Sequence, residues 1–250
     1  MRRALLLEFR KMKRLRALLI TTILVIAVSS LSSFSLFAGS TQESFNDPAA
    51  MPWGRLMMTY TLMAAMTNPI LVAVLASRQT DIEHSGVGWT LASTAGYSPG
   101  MLCRAKLVAL SLVLLPAVTV QSLLVIGIGL FAGIRVPFDP WPWVLYTGLL
   151  FLIDVAFLSL HIWLATIVEN QLISVGVGLL GAFLGIFTLL TSTTVARIIP
   201  WGYYAMISPV GQHGNKLVYL TPPFEWIAGF LLLVSVVFAV VTRRLDRIER

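Results

Sequence analysis

Two ionisable residues, Asp154 and His161, interrupt one of the most apolar stretches of this 250-residue chain. On a helix their seven-residue spacing puts both on one face, about 10 Å apart along the axis. A carboxyl and an imidazole so placed could relay protons or line a path for a polar cargo, because ionisable groups at membrane depth are functional by default. The same pair could equally be hydrogen-bonded to neighbouring helices and fix their packing. A second set, Asp81, Glu83, Trp89 and Leu91, lies in a polar stretch between two apolar runs. Acids able to pair with a partner's cations, beside residues able to anchor in a partner's pockets, are the materials of a protein–protein contact.

Enzyme chemistry has no comparable set. The sequence contains no H-E-x-x-H metal site, no clustered Cys or His ligands, no G-x-S-x-G elbow and no G-x-x-x-x-G-K-[ST] phosphate loop. Neither a catalytic residue, a metal nor a cofactor is therefore expected in this chain. The single cysteine, Cys103, has no partner for a disulfide within it.

The elements that must position these residues are membrane spans. With 57% hydrophobic and only 12% charged residues, a soluble domain of this size would be covered in apolar surface. A helix needs roughly 20 apolar residues to cross the hydrocarbon layer. The runs that qualify are Ala17–Ala38, Leu56–Ala76, Leu107–Ala132, Trp143–Val168, Leu172–Thr191 and Phe224–Thr242. An all-α integral membrane protein with six spans and both termini cytoplasmic follows. Seven basic residues in Met1–Arg16, three at Arg78, Arg104 and Lys106, and four at the C-terminus fall inside, fourteen together against Arg55, Arg135, Arg197 and Lys216 outside. That asymmetry satisfies the positive-inside rule. Trp53, Trp141, Trp143, Trp201, Tyr203, Tyr204 and Trp226 gather near the outer boundary, as an interfacial belt would. A competing reading takes the first span as a cleaved signal peptide ending at Ala38, Gly39 and Ser40, although its apolar core is long for one.

Between the spans, residues 1–16 read as an amphipathic cytoplasmic helix on the anionic inner surface, with Leu5, Phe9 and Met12 on its apolar side. The basic ends thus suit lipid headgroups rather than nucleic acid. Residues 77–106 form the long cytoplasmic loop. Residues 192–223 are too apolar for a solvated loop and too broken to span, which predicts short re-entrant or interfacial helices capping the outer side. Gly181 and Gly185 have the small-xxx-small spacing that lets helices approach closely. Pro69 and Pro116 fall within the second and third spans and should kink them.

The segment from Ser77 to Pro99 resembles the intracellular loop of ABC exporter permeases related to lantibiotic immunity, with Glu83, Gly86, Trp89 and Leu91 at corresponding positions. The start Glu8-Phe9-Arg10-Lys11-Met12-Lys13-Arg14, the stretch Ile199-Pro200-Trp201-Gly202-Tyr203 and Ser208-Pro209 resemble the same family's N-terminal helix and last external region. Thr94-Ala95-Gly96-Tyr97 departs from its more regular turn. The resemblance implies a half-transporter: two permeases, identical or related, with cytoplasmic ABC ATPase subunits that carry the ATP and Mg. It further implies that the loop holding Asp81, Glu83, Trp89 and Leu91 is a coupling helix, that the turn at Glu169 makes a smaller contact, and that the cargo is an amphipathic peptide of bacteriocin type or a lipophilic drug. A bacterial cell membrane is the setting it suggests. A stand-alone secondary transporter or channel using Asp154 and His161, and a membrane anchor or assembly subunit, remain the rival readings.

Overall fold

The computed structural model describes residues 2–37, 42, 44–214 and 216–248. Ala38, Gly39 and Ser40, and the terminal Met1 and Arg250, lie outside these. Helix α1 (Arg2–Arg14) leads through a left-handed Arg16 into α2 (Ala17–Ser33). The long α3 (Pro52–His84) is followed by a 3-10 turn, the short α4 (Gly88–Thr94) and the long α5 (Pro99–Ala132). Then come α6 (Pro140–Ile167), α7 (Gln171–Leu189), the short α8 (Thr193–Ile198) and α9 (Tyr203–Met206), strands β1 (Val210–His213) and β2 (Lys216–Tyr219), and α10 (Phe224–Ile248).

Helix starts are written locally. Ser98 accepts from the Met101 amide and Asp139 from the Trp141 amide, each followed by a proline at the first helical position. Asn170 likewise accepts from Leu172 and opens α7 after a three-residue turn. These are side-chain caps on amides that no helical carbonyl can reach.

Among the described residues six helical segments are long and apolar enough to cross a membrane, which makes this an all-α integral membrane protein. Helix α3 forms the axis, packed on α2, α5, α6 and α7, with Tyr60, Ala64, Asn68, Leu71 and Val72 all enclosed. Helices α2, α7 and α10 form the periphery and turn Leu, Ile, Phe and Val outward.

Three details differ from the sequence reading. The 77–106 loop is mostly helix: α3 continues to His84 and α5 begins at Pro99, leaving only a short elbow between them. At 33 and 34 residues, α3 and α5 are each about 50 Å long, against ~30 Å of hydrocarbon, so both helices protrude. Residues 192–223 contain an antiparallel hairpin, β1 on β2, in addition to short helices; Gly214 with φ 61° lies in its turn. Of the aromatic belt, Trp141 and Trp226 are exposed whereas Trp53, Trp143, Tyr203 and Tyr204 are buried. Ring packing explains the burial: Trp53 meets Phe138 at 4.9 Å between centroids and donates its indole N–H to the Val136 carbonyl at 3.0 Å.

Candidate functional site

At the α1 end of the bundle the buried stripe of α1 is Ala4, Glu8 and Met12, one turn apart each. It lies one position round from the Leu5, Phe9 and Met12 stripe; Phe9 is exposed. The reason is electrostatic. Lys106 of α5, fully buried, donates to Glu8 Oε2 at 3.0 Å, to Glu83 Oε1 at 2.7 Å and to the Gln79 carbonyl at 3.0 Å, using all three of its protons. Lys11 donates to Glu8 Oε1 at 2.7 Å and also to Glu83. Gln79 donates to the Glu8 carboxylate at 2.7 Å and to its backbone carbonyl at 3.0 Å. Two carboxylates and two ammonium groups thus neutralise each other and join α1, α3 and α5.

Burial by itself would raise the Glu8 carboxyl, but Lys106 and then Lys11 outweigh it and hold the group below the ordinary carboxylate value. Burial would likewise lower the Lys11 ammonium, and Glu8 and then Glu83 outweigh it and hold it above the ordinary lysine value. For Glu8 and Lys11 the opposite charges beside them thus outweigh the cost of burial.

The elbow sits on this cluster. A Cβ at Gly88 would lie 2.8 Å from both the Glu83 Cα and the Ile82 carbonyl, so glycine is required where α4 folds back on the end of α3. Val87 before it is left-handed, φ 56°, a conformation that a β-branched residue adopts only under constraint. His84 bonds through Nε2 to the Ala165 carbonyl of α6 at 2.7 Å, and Trp89 donates to His84 Nδ1 at 3.4 Å. The elbow is therefore pinned to the base of α6. Of the residues expected to meet a partner, Leu91 is 63% exposed, Glu169 is exposed, and Asp81 and Trp89 are half-buried. Glu83, one of the acids expected to pair with a partner's cations, is enclosed and pairs with Lys106 and Lys11 within the chain.

On the flank of the elbow, Asp246 of α10 accepts from Ser98, from the Met101 amide at 3.1 Å and from Arg104 at 2.8 Å. It thereby caps α5. Gly100 permits the approach, since a Cβ there would lie 2.0 Å from the Thr242 carbonyl.

Deep in the bundle, Asp154 accepts from Asn68 of α3 and from the Tyr204 hydroxyl of α9, both at 2.8 Å, and is completely enclosed. His161 instead pairs through Nδ1 with Ser174 of α7 at 3.0 Å. The two share a face of α6 but no partner. Tyr204 reaches Asp154 because Trp201 and Tyr204 stack on Phe157 of α6 while Trp201 also packs on Gly181 of α7. The Trp201 ring stacks on Phe157 at 5.4 Å, and a Cβ on Gly181 would lie 2.0 Å from its indole nitrogen. A Cβ on Gly185 would meet the Ala65 carbonyl of α3 at 3.2 Å and the Trp201 carbonyl at 3.6 Å. Gly181 and Gly185 thus face Trp201 and α3 of the same chain.

Sequence reasoning missed Lys106, Lys11, Glu8 and Gln79 as one group. The available signal was a basic residue directly abutting the third apolar run and an isolated acid in a basic helix, each too costly to bury unless they meet. Among the described residues no cluster suited to a metal occurs.

The family model described as ABC-2 family transporter protein matches residues 4–185, from α1 into α7. No curated protein matches the chain.

Proposed function

Given that the chain belongs to the ABC-2 transporter family, we propose that it is the permease of an ATP-driven exporter that works with a separate cytoplasmic ATPase and a second permease subunit, identical or related. Its standing as the membrane component of an ABC transporter comes from the family match, and the exporter reading extends it. The observation that carries the extension is the protruding elbow: α3 and α5 outrun the bilayer, α4 bridges them, and Val87 and Leu91 point outward with nothing among the described residues to cover them. Exposed apolar anchors on a rigid, pinned support are what an ATPase needs to push on.

The fourteen-to-four distribution of basic residues supports placing the α1 end in the cytoplasm, where an ATPase would meet Leu91, Trp89, Asp81 and Glu169. ATP and Mg are bound by that partner. In this reading Glu83 is a positioning residue behind the elbow. Residues 193–206 then re-enter the membrane from the outer side, and the hairpin lies outside. The cargo is an amphipathic peptide of lantibiotic or bacteriocin type or a lipophilic drug, a choice supported by the resemblance of the elbow sequence; a role in multidrug resistance rests on the same ground. Asp154 and His161 are engaged inside one bundle, which favours packing over the ion coupling a stand-alone transporter needs.

Co-expression with a phosphate-loop ATPase from the same source tests the proposal. The two proteins co-purify, and reconstituted together they hydrolyse ATP faster when cargo is added. Proton-driven flux by this chain alone, with no ATPase bound, would replace the exporter by a secondary transporter.

A further inference from the structure

Residues 193–206 and α10 border a groove that the coupling elbow does not use. Its deep part, about 220 Å³, lies between α6 and α10 and is lined by Phe157, Leu160, Trp163 and Val237. Its mouth, about 550 Å³, lies between α8 and the start of α10. Pro200, Phe230 and Leu233 border both cavities, so the two adjoin along α10. From Trp226 at the mouth to Val241 at the far end α10 rises about 22 Å, longer than the ~15 Å of one leaflet's hydrocarbon.

The wall is apolar but the mouth is not. Arg197 lies there, its guanidinium 4.9 Å from the centre of the Trp226 ring and its Nε enclosed without a hydrogen-bond partner. Glu225 lines the same mouth, and among the described residues no ion pair joins it to Arg197. A cation and an anion held apart at one end of an apolar trench are complementary to a dipolar head on a long tail. A phosphate suits the arginine, and a primary ammonium suits the carboxylate beside an indole face.

We propose that this groove is a binding site for one zwitterionic aminophospholipid drawn from the leaflet at the hairpin end, with its phosphate on Arg197, its ammonium on Glu225 and one acyl chain along Phe157, Leu160 and Leu233. The inference rests on the chain being in a membrane and is independent of what the transporter carries. A bare apolar face would accept any tail; the paired charges select the head.

Delipidated protein in detergent, without ATPase or cargo, is titrated with phosphatidylethanolamine or phosphatidylglycerol and followed by native mass spectrometry. Phosphatidylethanolamine is retained about tenfold more tightly, and Arg197→Gln weakens it about tenfold, as loss of one charge-assisted contact would. Glu225→Gln removes the preference between the two lipids. Gly229→Trp at the mouth abolishes retention without disturbing the fold, since a Cβ at Gly229 meets nothing within 4 Å. Equal retention of both lipids, insensitive to all three substitutions, means an unselective lipid annulus and overturns the site. So does cross-linking of two copies through Leu233→Cys in a Cys103→Ser background, which would make the groove a subunit interface.

Discussion

Lys106 donates to Glu83 over 2.7 Å at a point where both side chains are buried. The contact is one edge of the four-ion cluster that holds α1 against α3 and α5. Lys106→Met leaves Glu8 and Glu83 enclosed with only Lys11 between them. Breaking such a pair from one side costs about 3–5 kcal/mol, so the variant should melt far below the native protein in detergent while Lys106→Arg loses less. Native-like melting of Lys106→Met would show that the cluster contributes no net stability.

The same cluster sets a pH window. Glu8 titrates below its ordinary value of 4.5 in the folded protein, so its stabilisation is complete above that value and is lost as pH falls through the depressed one. Lys11 titrates above its ordinary 10.5, so its contribution is complete below that value and is lost as pH rises through the raised one. Melting temperature should therefore be flat with respect to these two groups near neutrality and decline at both ends. Glu8→Gln should remove that residue's share of the acid limb, which a pH series of thermal melts on the two proteins would measure.

Asp154 ties residues 193–206 to the axis of the bundle. In Asp154→Leu the amide of Asn68 and the hydroxyl of Tyr204 lose their acceptor, at about 1–3 kcal/mol for each orphaned donor. Asp154→Asn retains an acceptor for one of them and should be milder. The segment from 193 to 206 should become more accessible to protease or to thiol reagents at introduced cysteines. Unchanged accessibility in the leucine variant would mean that ring stacking by Trp201 and Tyr204 alone seats the segment.

Leu91→Ala and Trp89→Ala should each weaken ATPase co-purification, by about 1–2 kcal/mol if either residue is an interface anchor. Glu83→Ala should act differently, lowering the melting temperature of the permease itself because its partners Lys106 and Lys11 lie within the chain. Binding assays and melts on the three variants separate the two effects. Full ATPase binding by both Leu91→Ala and Trp89→Ala would move the docking surface elsewhere.

The six spans were legible because lipid imposes one simple demand, a run of about twenty apolar residues, and every span meets it. Helix ends were less so. The second run stops being apolar at Arg78, yet α3 continues to His84 because Gln79 and Glu83 find partners on α1 and α5 that no local pattern reveals. Glu8 is four residues from Met12 on an apparently surface-bound helix, and only Lys106, far along the chain, turns it inward. Asp154 was identifiable as unusual from its position alone, whereas Tyr204 reads as an interfacial aromatic, and only the folded chain puts its hydroxyl on Asp154. Gly88 is required for close backbone approach, whereas the resemblance in the sequence rests on Gly86, two residues earlier.

The two ends of the chain close on neighbouring residues of one helix: Glu8 meets Lys106 across 98 positions, and Asp246 meets Arg104 across 142. A ribosome working at about 5–20 residues per second needs roughly 5–20 s to make the first of these partners after the other. During that interval α1 carries a carboxylate with no α5 lysine to neutralise it and must wait in water or among headgroups. The base of α5 is sealed from its other side only after Asp246 has been synthesised. A chain arrested before Asp246 leaves the start of α5 with Ser98 as the acceptor for the Met101 amide and leaves Arg104 without its carboxylate.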